Sequence, residues 1–301
     1  MKIDSLKLAL AVRHAGGFAA AARDAGIDPS LVSRSIGALE SELGFRLFSR
    51  NTRRLTVTDA GTAFLDRIAP LLDEMDSALA DAASDQQGTP VGRVRLTASV
   101  AFGQMWLMPR VPELRDRFPE ISLDLVLSDA IIDLVGDPVD LALRLGPLAD
   151  SSLVGRTLFV VRHRVVATPA YLSRNECPRD PQDLAHHDCV LLPLQGYQSL
   201  WKFRRTGTRS ETPVAVSGKL VVSSPLALHQ AAQAGLGPAL LPDWMISSDL
   251  NGGGLIDLFP DHDVTATAFD TSATLLYADR SAARPAVRAV ADFLTEAARG
   301  C

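Results

Sequence analysis

Cysteine is scarce in this chain: Cys177, Cys189 and Cys301 are the three present in 301 residues. An odd, scattered trio cannot build a disulfide framework, and it fits free thiols in a reducing compartment. Long apolar runs are missing as well. Nowhere do about 18 uncharged apolar residues follow one another, as a membrane span requires. The opening MKIDSLKLAL carries no sustained apolar run ahead of a small-residue cleavage site, so no leader is read and the chain is expected to stay in the cytoplasm. G-x-S-x-G, the P-loop and the dinucleotide-binding glycine fingerprint are absent too. Their absence removes the best-marked enzyme classes, and neither catalysis nor a cofactor is expected. His186-His187-Asp188-Cys189 is the one dense cluster of metal-capable side chains. Adjacent ligands lack the one-turn spacing that puts two histidines on one helix face, and no second half follows, so a loop is read there and no metal. Cys177 and Cys189 could form a redox-switching pair, but scattered cysteines in such a chain are usually inert.

What is present is an ordinary globular composition, 47% hydrophobic and 22% charged, which rules out a disordered polyampholyte and gives enough length for two or three domains. Residues 17 to 61 read almost position by position as two short helices joined by a tight turn, followed by a basic hairpin. The first helix, Ala19 to Ala25, is nearly all alanine and ends at Gly26, a residue suited to close packing and a left-handed turn. The second opens with Asp28 as N-cap and Pro29 at the first helical position. Val32, Ile36 and Leu39 recur at helical spacing and should face inward, leaving Ser30, Ser33, Arg34 and Gly37 outward. Small and hydrogen-bonding groups suit a helix lying in the major groove, where bulky residues would hold it off the base edges.

Arg46, Arg50, Asn51, Thr52, Arg53 and Arg54 then lead into Leu55-Thr56-Val57-Thr58, a wing set against phosphates. Residues 1 to 58 hold nine Lys or Arg against five Asp or Glu, a net +4, whereas the whole chain carries 30 against 35, a net −5. A basic head on an acidic protein predicts double-stranded DNA as partner, with base discrimination from Ser30, Ser33 and Arg34 and phosphate contacts from the wing.

This segment resembles the winged helix-turn-helix of LysR-type transcriptional regulators. The matching residues are Phe18, the alanine run, Leu31-Val32-Ser33-Arg34, Ile36, Leu39-Glu40, Leu43-Gly44, Leu47-Phe48, Arg50, Leu55-Thr56 and Ala60-Gly61. The resemblance continues through nearly the whole chain, at 92 to 103 (GRVRLTASVAFG), Met108-Pro109, Phe118-Pro119, 140 to 146 (DLALRLG), 168 to 172 (TPAYL) and 233 to 242 (QAGLGPALLP). Pro238 departs from it, standing where an apolar β-branched residue is usual.

A long helix is expected from Asp59 to Asp85, with Thr58 as its cap and Phe64, Ile68, Leu71, Met75 and Leu79 as one apolar stripe. At 1.5 Å per residue it would run about 40 Å, too far to be covered by a small head alone. The resemblance makes the stripe a dimer contact that sets two heads on a dyad-symmetric site. It further implies a homodimer or homotetramer, and leaves room for RNA polymerase as another partner. Gln86-Gln87-Gly88-Thr89-Pro90 reads as a hinge.

Beyond Gly92, strand candidates at 94 to 98, 122 to 127, 141 to 145, 164 to 168, 239 to 241 and 274 to 277 alternate with helices at 108 to 117, 226 to 234 and 286 to 298. The class is α/β. The expected layout is a winged helix-turn-helix at 1–58, a linker helix and hinge at 59–91, and an effector domain at 92–301. By resemblance the last is two-lobed and periplasmic-binding-protein-like, with lobe I at 92–163 plus 268–301 and lobe II at 164–267. Ligands of open α/β sheets bind beyond the carboxyl ends of strands. That places Ser99, Val100, Ala101 and Phe102 of lobe I opposite Ser223, Ser224 and Pro225 of lobe II, with Arg144 as a charge and Trp201 as an aromatic wall. These groups point to a small organic anion as effector. A free solute-binding protein would share this architecture, but the fused basic head argues against it.

Overall fold

Gly26, at φ 65°, closes the turn between two helices: the amides of Gly26 and Ile27 return to carbonyls of the preceding turn, at Arg23 and Ala22. Asp28 then starts the next helix by accepting the Ser30 amide at 2.8 Å, with Pro29 at the first helical position where no N–H is needed. The helices so joined are α2 (Phe18–Ala25) and α3 (Pro29–Leu43), and α1 (Ile3–Ala15), which the sequence reading passed over, packs on both.

The computed structural model describes residues 2–51, 54–87, 89–130, 139–146, 154–194, 199–277 and 284–300, in two compact units, Met1–Gly88 and Thr89–Cys301. In the first unit Val32, Ile36 and Leu39 of α3 are buried with Leu6, Ala9 and Val12 of α1 and Ala21 and Ala22 of α2. Full burial of such aliphatic side chains is worth about 2 kcal/mol apiece, enough to fix which face of α3 turns outward. Strands β1 (Phe48–Asn51) and β2 (Arg54–Val57) pair antiparallel, Phe48 opposite Val57 and Asn51 opposite Arg54. The Glu40 carboxylate of α3 accepts the Leu47 and Phe48 amides at 2.8 and 2.9 Å, so α3 and the hairpin are tied directly.

Thr58 joins the wing to α4 (Asp59–Gln87). Its hydroxyl donates to the Arg46 carbonyl at 2.6 Å and accepts the Gly61 amide at 2.9 Å, capping the helix. The apolar stripe of α4 divides. Phe64, Ile68 and Met75 pack against the head's own core together with the buried Leu65 and Leu72, and Asp66 and Asp76 pair with Arg13 and Lys7 of α1, each at 2.6 Å. Leu71 and Leu79 are 64% exposed. Of the five residues expected on the stripe, Phe64, Ile68 and Met75 are thus partly covered by the head itself, Phe64 edge-on to Phe45, and Leu71 and Leu79 are not.

The second unit holds two sheets. The first, ordered β4-β3-β5-β15-β6, comprises β3 (Gly92–Ala98), β4 (Ile121–Leu127), β5 (Leu141–Leu145), β6 (Val154–Val160) and β15 (Ser272–Tyr277). Strands β3, β4 and β5 run parallel, with Ala98 level with Leu127 and Leu143. A helical stretch starts at Val100 and runs through α5 (Val100–Phe102), a π-helical turn, a 3-10 turn and α6 (Val111–Arg117). The C-terminal helix α10 (Pro285–Ala297) seals the sheet with Val287, Val290 and Leu294.

Strand β7 (His163–Ala167), followed by helix α7 (Pro169–Leu172) and paired also to the short β13 (Ile256–Asp257), stands with β12 (Ala239–Pro242) and β8 (Asp188–Leu191) at the centre of the second sheet. On one side of these lies β11 (Ser217–Val221); on the other lie β14 (His262–Thr265), β9 (Leu200–Arg205) and β10 (Glu211–Ala215). Along its strands neighbours alternate between two cores: Val166, Val190 and Leu241 join one, Val165, Leu191 and Leu240 the other. Burial on both faces explains why these strands read as unbroken apolar runs. Helices α8 (Pro225–Gln233) and α9 (Asp243–Asn251) cover the first of these faces. Pro238 lies just ahead of β12, where its carbonyl accepts the Val190 amide and its missing N–H is not called upon. The chain crosses between the sheets at 160–163 and 265–272, the two crossings linked by the Val161 amide to the Thr271 carbonyl at 2.8 Å.

A Cβ at Gly61 would run into the Leu47 backbone carbonyl, which cannot swing away. Gly61→Ala is therefore expected to destabilise the head by about 2 kcal/mol. Urea unfolding followed through the head's transition checks this, and an unshifted midpoint would contradict the contact.

Candidate nucleic-acid interface and effector cleft

The outward face of α3 begins at Ser30, which is exposed, followed by half-buried Ser33 and exposed Arg34. Hydrogen bonds from Ser30, hydroxyl first and amide second, hold the Asp28 carboxylate below its usual range. The Arg34 Nε reaches back to the Ser30 carbonyl at 3.4 Å, and among the described residues no carboxylate forms an ion pair with its guanidinium. Gly37 and Ser41 continue the strip, the Ser41 hydroxyl folded onto the Gly37 carbonyl at 2.9 Å. Beside them runs a groove of about 500 Å³, lined by Gly37, Glu40, Ser41, Gly44, Phe45 and Arg46. One outward residue departs from the small, polar pattern: Leu31 is 47% exposed. Arg50, Asn51 and Arg54 belong to the wing strands, and Thr52 and Arg53 lie outside the described residues.

In lobe I, the carboxyl ends of three parallel strands meet along one edge. Because Ala98, Leu127 and Leu143 are level, the next residues, Ser99, Ser128 and Arg144, form one row. The Asp129 carboxylate accepts the Val100 amide at 3.0 Å, so the helix start taken as an open anion site already carries the protein's own carboxylate. Ala101 and Phe102 do not line a cleft. Ala101 is packed in the lobe II core beside Leu228, and Phe102 is fully buried, stacked on Trp106 and edge-on to Trp244, both at 5.0 Å between ring centres. The reason is that the helix begins at Val100 instead of further along, and its first turn is buried.

Trp201 is corrected as well. Its side chain is 1% exposed among Val165, Cys189, Leu191 and Phe203, in the core on the opposite sheet face from α8. On β9, Trp201 and Phe203 turn inward while Lys202 and Arg204 turn outward. Ser223 and Ser224 follow β11 and are exposed, and Ser224 caps α8 through a long contact from the Ala227 amide, 3.5 Å, with Pro225 at the first helical position.

Two side chains stand out at the edge. Arg144 is half-buried, its Nη2 is enclosed without a hydrogen-bond partner among the described residues, and burial pulls its pKa down. Trp244, missed from the sequence, packs against the cores of both lobes and keeps its Nε1 enclosed and unpartnered among the described residues. The one cue to it was a tryptophan immediately after Leu-Pro-Asp at a strand-to-helix junction.

The His186–Cys189 cluster has structural employment. His187 Nδ1 meets the Tyr171 hydroxyl at 3.0 Å, Asp188 pairs with Lys219 at 3.1 Å, and Cys189 is in the core. Burial pushes the Cys189 thiol up to about 12, whereas Cys177 is exposed. Among the described residues, no helix is long and apolar enough to cross a membrane.

A winged helix-turn-helix carried with a two-lobed α/β unit defines a DNA-binding regulator with an effector-binding domain. Residues 3–62 match the model of the bacterial regulatory helix-turn-helix proteins of the lysR family, and residues 87–299 that of the LysR substrate binding domain. The chain belongs to the LysR family of transcriptional regulators. It is 32% identical over 294 residues to the probable HTH-type transcriptional regulator LtrA of Klebsiella pneumoniae, covering 98% of this chain and 94% of that one. It is likewise 32% identical over 298 residues to CrgA of Neisseria meningitidis serogroup C, covering 98% and 97%. The solved CrgA structure superposes with a TM-score of 0.61 at 30% identity over 99% of each chain. The full-length Vibrio cholerae virulence activator AphB gives 0.59 at 27%, over 98% of this chain and 99% of that one.

With its thiolate disfavoured and its sulfur buried, Cys189 is expected to resist iodoacetamide at pH 8 in the native protein while Cys177 is labelled. Peptide mass mapping before and after denaturation checks this, and equal native labelling would contradict the burial.

Proposed function

We propose that this LysR-type regulator reads a dyad-symmetric operator as a homo-oligomer and responds to a small organic anion held at the carboxyl edge of lobe I. The observation that carries the ligand class is Arg144, a half-buried guanidinium with an enclosed, unpartnered Nη2. A desolvated guanidinium gains most from a planar anion such as a carboxylate. Ser99 stands in the same row, and Ser223, Ser224 and Pro225 supply the facing polar loop of lobe II. Asp129 excludes the ligand from the Val100 amide, so the anion is oriented by Arg144 and not by the helix start.

Ser30, Ser33 and Arg34 discriminate bases, and Arg50, Asn51, Thr52, Arg53 and Arg54 grip phosphates. Leu71 and Leu79, exposed on α4, carry the contact between copies, with Phe64, Ile68 and Met75 holding that helix to its own head. Two heads held by such a contact match two half-sites related by a dyad.

Two measurements test this reading. In fluorescence anisotropy on duplexes selected from a random pool, Arg34→Ala should relax sequence preference, while Arg53→Ala should weaken all sequences alike and reduce the salt slope by about one. The two effects interchanged would overturn the assignment. In a thermal-shift panel of carboxylates, cations and neutral apolar compounds, carboxylates should raise the wild-type midpoint by roughly 5–10 °C at about 100 times their Kd, and Arg144→Gln should abolish the shift. Stabilisation only by cationic or apolar compounds, or equal stabilisation of the variant, would contradict the anion.

A further inference from the structure

Leu31 is the large apolar side chain that α3 leaves in water, 47% exposed, while Val32, Ile36 and Leu39 of the same helix are sealed. It stands in the first turn, immediately after Ser30 and three residues before Arg34, so it shares the outward face with the groups read above as base contacts. Recognition helices meet base edges through their N-terminal residues. A leucine has no donor or acceptor to offer there. Of the four bases, only thymine presents an apolar group in the major groove, its C5-methyl; cytosine carries a bare hydrogen at that carbon and, on the neighbouring C4, an amino donor that a leucine would strip of water without replacing its hydrogen bond.

We infer that Leu31 reads a thymine methyl group in each half-site, so that base selection by α3 is part apolar and not only a matter of Ser30, Ser33 and Arg34. The leucine covers the methyl from one side while Arg34, one turn on, addresses a neighbouring base. Exposure of Leu31 in the free chain is then the cost of a contact made on DNA. Ile27, also exposed at 41%, precedes the N-cap in the turn and is not on the helix, so it has no place in this contact.

The inference rests on α3 being the reading helix, and the experiment separates the two. Operators are selected from random duplexes with the full-length chain, and each thymine is replaced in turn by deoxyuridine, which deletes one methyl and leaves every hydrogen-bonding group in place. At one thymine per half-site, uracil should weaken wild-type binding about fourfold, the effect of burying one methyl-sized group. Leu31→Ala should bind the thymine duplex about as weakly as wild type binds the uracil duplex, and should not distinguish the two. Leu31→Val should keep part of the sensitivity, and Ile27→Ala should keep the wild-type pattern. An unchanged melting temperature and unchanged salt slope on non-specific DNA establish that Leu31→Ala is folded. A flat uracil scan in wild type, or a methyl effect that survives in Leu31→Ala, overturns the inference. Arg34→Ala on the same duplexes reports on α3 independently: relaxed preference there together with a flat uracil scan rejects Leu31 alone.

Discussion

Val32, Ile36 and Leu39 are sealed against α1 and α2, and that burial fixes the rotation of α3 about its own axis. Ser30, Arg34 and Gly37 are turned outward because those three are turned in. The wing inherits the same frame. Glu40 lies on α3 one residue after Leu39, and its carboxylate takes the amides of Leu47 and Phe48, so the hairpin cannot tilt without breaking two hydrogen bonds to the helix it flanks. Thr58 then passes the frame to α4, bonding to the Arg46 carbonyl on one side and the Gly61 amide on the other. One buried stripe thus positions α3, the wing and the root of the long helix together.

The lobed unit is organised by a different constraint. Parallel strands deliver their carboxyl ends to one edge, and at that edge the chain places a cation and an anion close in sequence register: Arg144 at the end of β5 and Asp129 just past β4. The two are used differently. Asp129 is spent on the backbone amide of Val100, while the Arg144 guanidinium has an enclosed nitrogen with no partner among the described residues. Trp244 spans the lobes next to this edge, edge-on to Phe102 of lobe I and packed with Met245 and Ile246 of its own helix in the lobe II core. A ligand that engages Arg144 would act on an edge already adjoined by interlobe packing, which is where a small change in contacts alters lobe geometry.

The helix-turn-helix was legible because each step had a local chemical cause: an N-cap at Asp28, a proline at the first helical position, a glycine in the turn, and an apolar spacing that admits one rotation. The central strands β5, β7 and β12 were legible because burial on both faces makes them continuous apolar runs. The strands β9, β10 and β11 were not, since they lie toward the sheet margins and mix charged and apolar residues as in LWKFRR and SGKLV. Helix α1 escaped because IDSLKLALAVRHA buries only Leu6, Ala9 and Val12, with other apolar residues on its remaining faces. The cleft residues fared worst. Whether Phe102 points into a cavity or a core depends on where the helix after β3 begins, and whether Trp201 faces a ligand or a hydrophobic layer depends on strand parity. Neither is encoded locally. Arg144 and the serines survive as edge residues because the ends of parallel strands are set by topology, which the alternation of strands and helices does reveal.

The most direct test of this account is amide hydrogen exchange of the full-length chain with and without a selected operator duplex, read peptide by peptide. The account predicts new protection over 28–37 and 46–57, the first turns of α3 and the wing, with α1 unchanged. Protection concentrated on α1 or on the outer surface of α2, with α3 and the wing exchanging as in the free chain, would contradict it.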